Sequence, residues 1–181
     1  PDKDRLIVRC WNRGHLFEGA PLPAKITNGG ADVIAGPVHL ATTVAGKQEM
    51  WKAGELTVTS KDKNKVVFKT TQTSASLSLA AETTMEFDGM LWTEITVTPK
   101  QKARLDALDL VVPLKNEVVK YRHWPGDVPL TGKIGRENGW QWTHELPKFA
   151  YLWLGNDDMG LTWFFETRGQ FRFADEKKTG E

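Results

Sequence analysis

Apolar and polar residues alternate along most of this chain in short runs, and the 3.6-residue repeat of a long amphipathic helix is scarce. The runs are rich in valine, threonine and aromatic residues, and clusters of Gly, Pro, Asn and Asp separate them as turns would. The pattern predicts eleven strands: "RLIVRCW", "ADVIAGPVHLATTV", "GELTVTS", "KVVFKTT", "ASLSLAAETTMEF", "MLWTEITVTP", "RLDALDLVVPLK", "EVVKYRHW", "FAYLWLG", "LTWFFET" and "QFRFA". That many short strands suit an all-β chain folded as a two-sheet antiparallel β-sandwich.

One pairing is specified by parity. Leu77, Leu79, Ala81, Met85 and Phe87 alternate on one face, and Leu91, Ile95 and Val97 alternate after the turn, all at odd positions. Side chains repeat with period two, so only a loop with an odd number of residues puts both sets on the same face. A three-residue loop Phe87-Asp88-Gly89 with Gly89 left-handed meets this condition and sets Met85 beside Leu91, Ala81 beside Ile95 and Leu79 beside Val97.

In "YLWLGNDDMGLTWFFET", residues 151–167, one strand is apolar on both faces and the next nearly so, which requires a cover on each side. Most of its rings are expected in the core, with the remaining face against another domain or a long loop. "NDDMG" is read as a tight turn rather than a calcium-binding carboxylate cluster. Residues 124–148, "WPGDVPLTGKIGRENGWQWTHELPK", hold four glycines, three prolines and no sustained alternation, so they read as a long tryptophan-rich loop. Loops of this length are usually functional or disordered, and aromatic residues argue against disorder.

Composition narrows the choices. A chain of 181 residues with 40 % hydrophobic content can bury one domain core, so residues 1–181 are expected to form a single sandwich. Lysine and arginine number 24 against 23 acidic residues, a net charge of +1, which gives no footprint for nucleic acid or a membrane surface. A single cysteine, Cys10, excludes an internal disulfide, a multi-cysteine zinc site and a CxxC redox pair. No apolar run approaches the roughly 20 residues of a membrane span. The opening "PDKDRL" lacks methionine, so the chain is expected to be part of a longer protein. GxGxxG, P-loop and GxSxG motifs do not occur, and no cofactor or metal is called for.

"LPAKITNGGADVIAGPVHL", "EFDGMLWTEITVTP", "LDLVVPL" and, most specifically, "YLWLGNDDMGLTWFFET" resemble the N-terminal β-sandwich of bacterial proteins related to glycoside hydrolase family 123, over about residues 20 to 170. The resemblance implies a galactose-mutarotase-like or carbohydrate-binding-module-like sandwich preceding a (β/α)₈ barrel. In that family the barrel carries the catalytic acidic pair, which acts with the substrate's acetamido group. It therefore implies a non-catalytic accessory domain, a neighbouring domain of the same chain as partner, a glycan as possible ligand, and an extracellular or periplasmic location. Related chains continue with further strands past the point where this one turns into the polar "ADEKKTGE".

Among the eight tryptophans, Trp92 and Trp163 lie in alternating strands and Trp11 and Trp51 lie beside apolar runs, so these four are assigned to structure. Trp124, Trp140 and Trp142 belong to the long loop, with Asp127, His144 and Glu145 as hydrogen-bonding neighbours. These six are the candidate contacts to a glycan or to a neighbouring domain. His39, His123 and His144 are the groups a sandwich enzyme would use, but no spacing brings an acid and a base together, and no catalytic residue is assigned.

Overall fold

The parity argument for the hairpin at Phe87–Gly89 is realised in the computed structural model, which describes residues 4–124, 130–133 and 151–164. Met85 pairs with Leu91, Ala81 with Ile95 and Leu79 with Val97. The loop closes through Glu86 N–H to the Met90 carbonyl side of the turn: Glu86 N donates to Met90 O at 2.9 Å and Gly89 N donates to Glu86 O at 3.0 Å. Gly89 has φ 90, a conformation that only glycine takes without strain.

The described residues are all-β and antiparallel, with no helix among them, and fall into two compact units, Pro1–Pro113 and Leu114–Glu181. The first unit contains β1 Arg5–Cys10, β2 Arg13–Glu18, β3 Lys25–Asn28, β4 Ala31–Asp32, β5 His39–Val44, β6 Lys47–Glu49, β7 Lys52–Lys61, β8 Lys65–Thr73, β9 Leu77–Glu86, β10 Leu91–Pro99 and β11 Leu105–Val111. They form three sheets of order β1-β2-β3-β4, β10-β9-β8-β7 and β11-β5-β6.

The first two sheets meet over the core, as a sandwich requires. Cys10 and Phe17 come from one, Leu56, Phe68 and Met85 from the other, and Leu6, Val8, Val66 and Leu91 surround them. The rings of Phe17 and Phe68 lie 4.7 Å apart at 59°, and each such buried side chain contributes about 1.5–3 kcal/mol. Thr83 is buried within the apolar face of β9 because its hydroxyl donates to the Pro21 carbonyl at 3.1 Å.

Several expectations change. The run 31–44 is two strands rather than one, with Pro37, which has no N–H for a ladder, in the gap. β2, β3 and β6 were not anticipated; β2 turns Arg13 and His15 as well as Phe17 toward the side shared with Leu6, Val8 and Cys10, so its alternation is disguised by polar residues. Trp11, assigned to structure, is 75 % exposed at the β1–β2 turn, because a turn residue has no sheet above it. Trp51 and Trp92 are half-buried, and their indole N–H groups donate to Thr42 Oγ1 at 3.0 Å and Glu94 Oε1 at 3.3 Å.

The second unit contains β12 Tyr121–Trp124, β13 Leu130–Lys133, β14 Tyr151–Gly155 and β15 Gly160–Phe164, in the order β13-β12-β14-β15. "EVVKYRHW" is strand only from Tyr121, since Val118 N–H closes a turn on the Lys115 carbonyl at 2.9 Å. β13 falls inside the segment expected to be irregular and pairs with β12, Trp124 opposite Leu130. "QFRFA" lies outside the described residues.

The "NDDMG" turn is held by Asn156, whose side-chain oxygen accepts from the N–H groups of Asp158 and Met159, both at 2.9 Å, as an Asx turn does. Its side-chain amide donates to the Glu117 carbonyl at 3.0 Å. The Trp153 indole lies across the paired glycines Gly155 and Gly160: a Cβ on either would fall 2.3 or 2.5 Å from the ring. One cover of this greasy strand is thus its own tryptophan folded over a glycine pair. Leu152 is buried, Trp153 and Trp163 are half-buried and Phe164 is exposed, so the described rings here are only partly core.

Candidate functional site

Three hairpin turns of the first unit come together, and each is fixed by its own sequence. β1 and β2 end on the pair Cys10–Arg13, leaving the two-residue loop Trp11-Asn12, with Trp11 at φ 50. Such loops favour glycine or asparagine at a left-handed position, and a bulky side chain there costs on the order of 1–3 kcal/mol. The turn after β7 is closed by Asp62, whose carboxylate accepts from the N–H groups of Asn64 at 2.7 Å and Lys65 at 3.0 Å. In the third turn Asp88 Oδ1 accepts from Met90 N–H at 2.9 Å.

Arg13 ties these turns into one surface. Its guanidinium stacks on the Trp11 ring at 5.6 Å and donates to the Asp88 carbonyl. Phe87 N–H donates to the Asn64 carbonyl at 2.8 Å. The rings of Trp11 and Phe87 then meet edge to face, 6.4 Å apart at 72°, while Phe87 remains 54 % exposed. A groove of about 420 Å³ runs beside them, bordered by Arg9, Asp62, Lys63, Asn64, Lys65 and Glu86. Its charges nearly balance, and it offers both donors and acceptors.

The shifted titratable groups of the first unit are structural in character. Burial pushes the Cys10 thiol up, more than the nearby Arg13 lowers it. His15, 6 % exposed, has its Nδ1 buried without a hydrogen-bond partner. Burial, and then Arg13, lower its pKa to about 4. Hydrogen bonds hold three carboxyls below their usual range: Glu49 through the Ser74 hydroxyl and then Ser76, Asp62 through the Asn64 and Lys65 N–H groups, and Asp106 through Gly46 N–H. A general acid needs the opposite shift.

Of the sequence-predicted histidines, two lie in described residues and His144 lies outside them. His39 is exposed, with Nδ1 2.9 Å from the Pro37 carbonyl, and His123 sits on β12 of the second unit. Among the described residues there is no cluster of three or more His, Cys, Asp or Glu with metal-binding geometry. Of the six candidate contacts, Trp124 ends β12 and only its backbone is described; Asp127, Trp140, Trp142, His144 and Glu145 lie outside the described residues.

Sequence reasoning missed the Trp11–Phe87 corner, although two signals were present. "CWNRG" places a ring and an asparagine between two strand-like runs, and the odd-residue loop at 87–89 already removes Phe87 from the apolar face it was counted with.

A family model described as glycoside hydrolase 123, third domain, matches residues 8–172. The family is the one the sequence resembles, and the matched description is of a third domain where the resemblance implied an N-terminal one. No curated protein matches the chain.

Proposed function

The chain belongs to the family of glycoside hydrolase 123 third domains, and from that premise we propose that it is a non-catalytic accessory domain of a carbohydrate-active protein, supporting or orienting a separate catalytic barrel. The observation that carries this reading is the match over residues 8–172 to a domain of a glycoside hydrolase. The direction of the carboxyl shifts supports it, since the shifted groups of the first unit brace turns and are held ionised. Three exposed leucines on β11, Leu105, Leu108 and Leu110, offer apolar surface of the kind a neighbouring domain covers. Glycan breakdown outside the cytoplasm is the process this role serves.

The test is turnover. The purified chain, assayed against chromogenic hexosides and N-acetylhexosaminides, is expected to release no product, while the parent protein carrying its barrel does. Hydrolysis by the chain alone that disappears in His144→Ala or Glu145→Gln would assign the chemistry to this domain and reject the accessory role.

A further inference from the structure

We infer that the corner formed by Trp11 and Phe87 binds one pyranose residue of a neutral glycan. This goes beyond the accessory role and does not depend on it, because a supporting domain needs no ligand of its own.

The first reason is the backbone of Trp11. The residue is 75 % exposed and its φ of 50 is one at which glycine or asparagine would sit without strain. The indole packs against the Arg13 guanidinium and the Phe87 ring, and most of its surface stays open to a ligand.

The second reason is shape. Two rings at 72° and 6.4 Å make a two-walled corner. One flat face can take the C–H face of a sugar ring while the second wall meets the sugar's edge. Both walls are set in advance: Arg13 stacks on Trp11 and bonds the Asp88 carbonyl, and Asn64 holds the Phe87 backbone. A ligand therefore orders little on arrival.

The third reason is the chemistry of the border. Arg9, Lys63 and Lys65 share the border with Asp62, Asn64 and Glu86. Sugar hydroxyls both donate and accept, and this mixture suits them. It offers no concentrated positive field for a phosphate or carboxylate, and two rings rimmed by charge make a poor match for a broad apolar protein face.

The experiment titrates the full chain with neutral trisaccharides of β-linked hexose and of β-linked N-acetylhexosamine, read by tryptophan fluorescence and calorimetry. A uronate trisaccharide and inorganic phosphate serve as charged probes. Saturable binding of a neutral probe in the micromolar to millimolar range is expected, weakened at least about tenfold by Trp11→Ala and by Phe87→Ala. Trp11→Asn, which suits the turn, is expected to keep or raise the thermal midpoint while losing the sugar, which separates a binding ring from a structural one. Should the Trp11 variants lose their β-sheet circular dichroism, Phe87→Ser carries the same comparison. No saturable binding of any neutral probe overturns the inference. So does tighter binding of uronate or phosphate, unchanged affinity in Trp11→Asn, or a loss confined to Trp140→Ala and Trp142→Ala.

Discussion

His15 shows how one buried side chain sets a pH limit. Its ordinary value of 6.5 falls to about 4 in the folded chain, chiefly through burial. Between those values the unfolded chain takes up a proton that the folded chain refuses. The stability His15 confers is therefore complete above about pH 6.5 and is lost as pH falls toward 4, by about 3 kcal/mol at most. Urea midpoints measured at pH 7, 5.5 and 4 are expected to decline, and His15→Leu should flatten that decline. Cys10, beneath the ring corner, is expected to react with iodoacetamide only at the rate of unfolding, checked by mass spectrometry with and without urea. Neither property could be read from sequence: Cys10 looks like an ordinary strand residue, and His15 sits in a strand that the alternation does not show, until the sheet above them is known. Trp11 was misplaced for the converse reason, since adjacency to an apolar run says nothing about which side of a turn a residue faces.

At the scale of elements, legibility followed the purity of the alternation. β9 and β10 carry apolar residues at nearly every core-facing position, and parity alone gave their loop length and register. β2 turns Arg13 and His15 to the same side as Phe17, and β6 is "KQE", so neither shows a period-two apolar pattern. The hairpin that could be read also yields a test. Gly89→Ala forces a side chain into φ 90 with its Cβ 2.8 Å from Arg13 Nη1, and a loss of about 1–3 kcal/mol in chemical denaturation is expected. In the second unit, Gly155→Ala or Gly160→Ala should displace the Trp153 indole, seen as a changed near-ultraviolet circular dichroism band with a lower thermal midpoint. The glycine pair was visible in the sequence; that a ring two residues away lies over it was not.

At the scale of the molecule, the all-β class was legible because alternation runs through the chain, whereas the division after Pro113 was not, because no linker-like composition marks it. The candidate corner was hidden for a related reason. Trp11 and Phe87 are far apart in sequence, and only the closing of one sheet over the other brings their turns together. The bond from Arg13 to Asp88 spans 75 positions of chain, so the corner has no local precursor from which to nucleate, and long-range closures of this kind are slow. In stopped-flow refolding, the emission difference between the native chain and Trp11→Phe should appear only in the last kinetic phase, after the far-ultraviolet signal of the hairpins is complete. A nascent polypeptide would then have no corner until residue 88 had emerged from the ribosome, which makes the corner a report on the closing of the first sheet over the second.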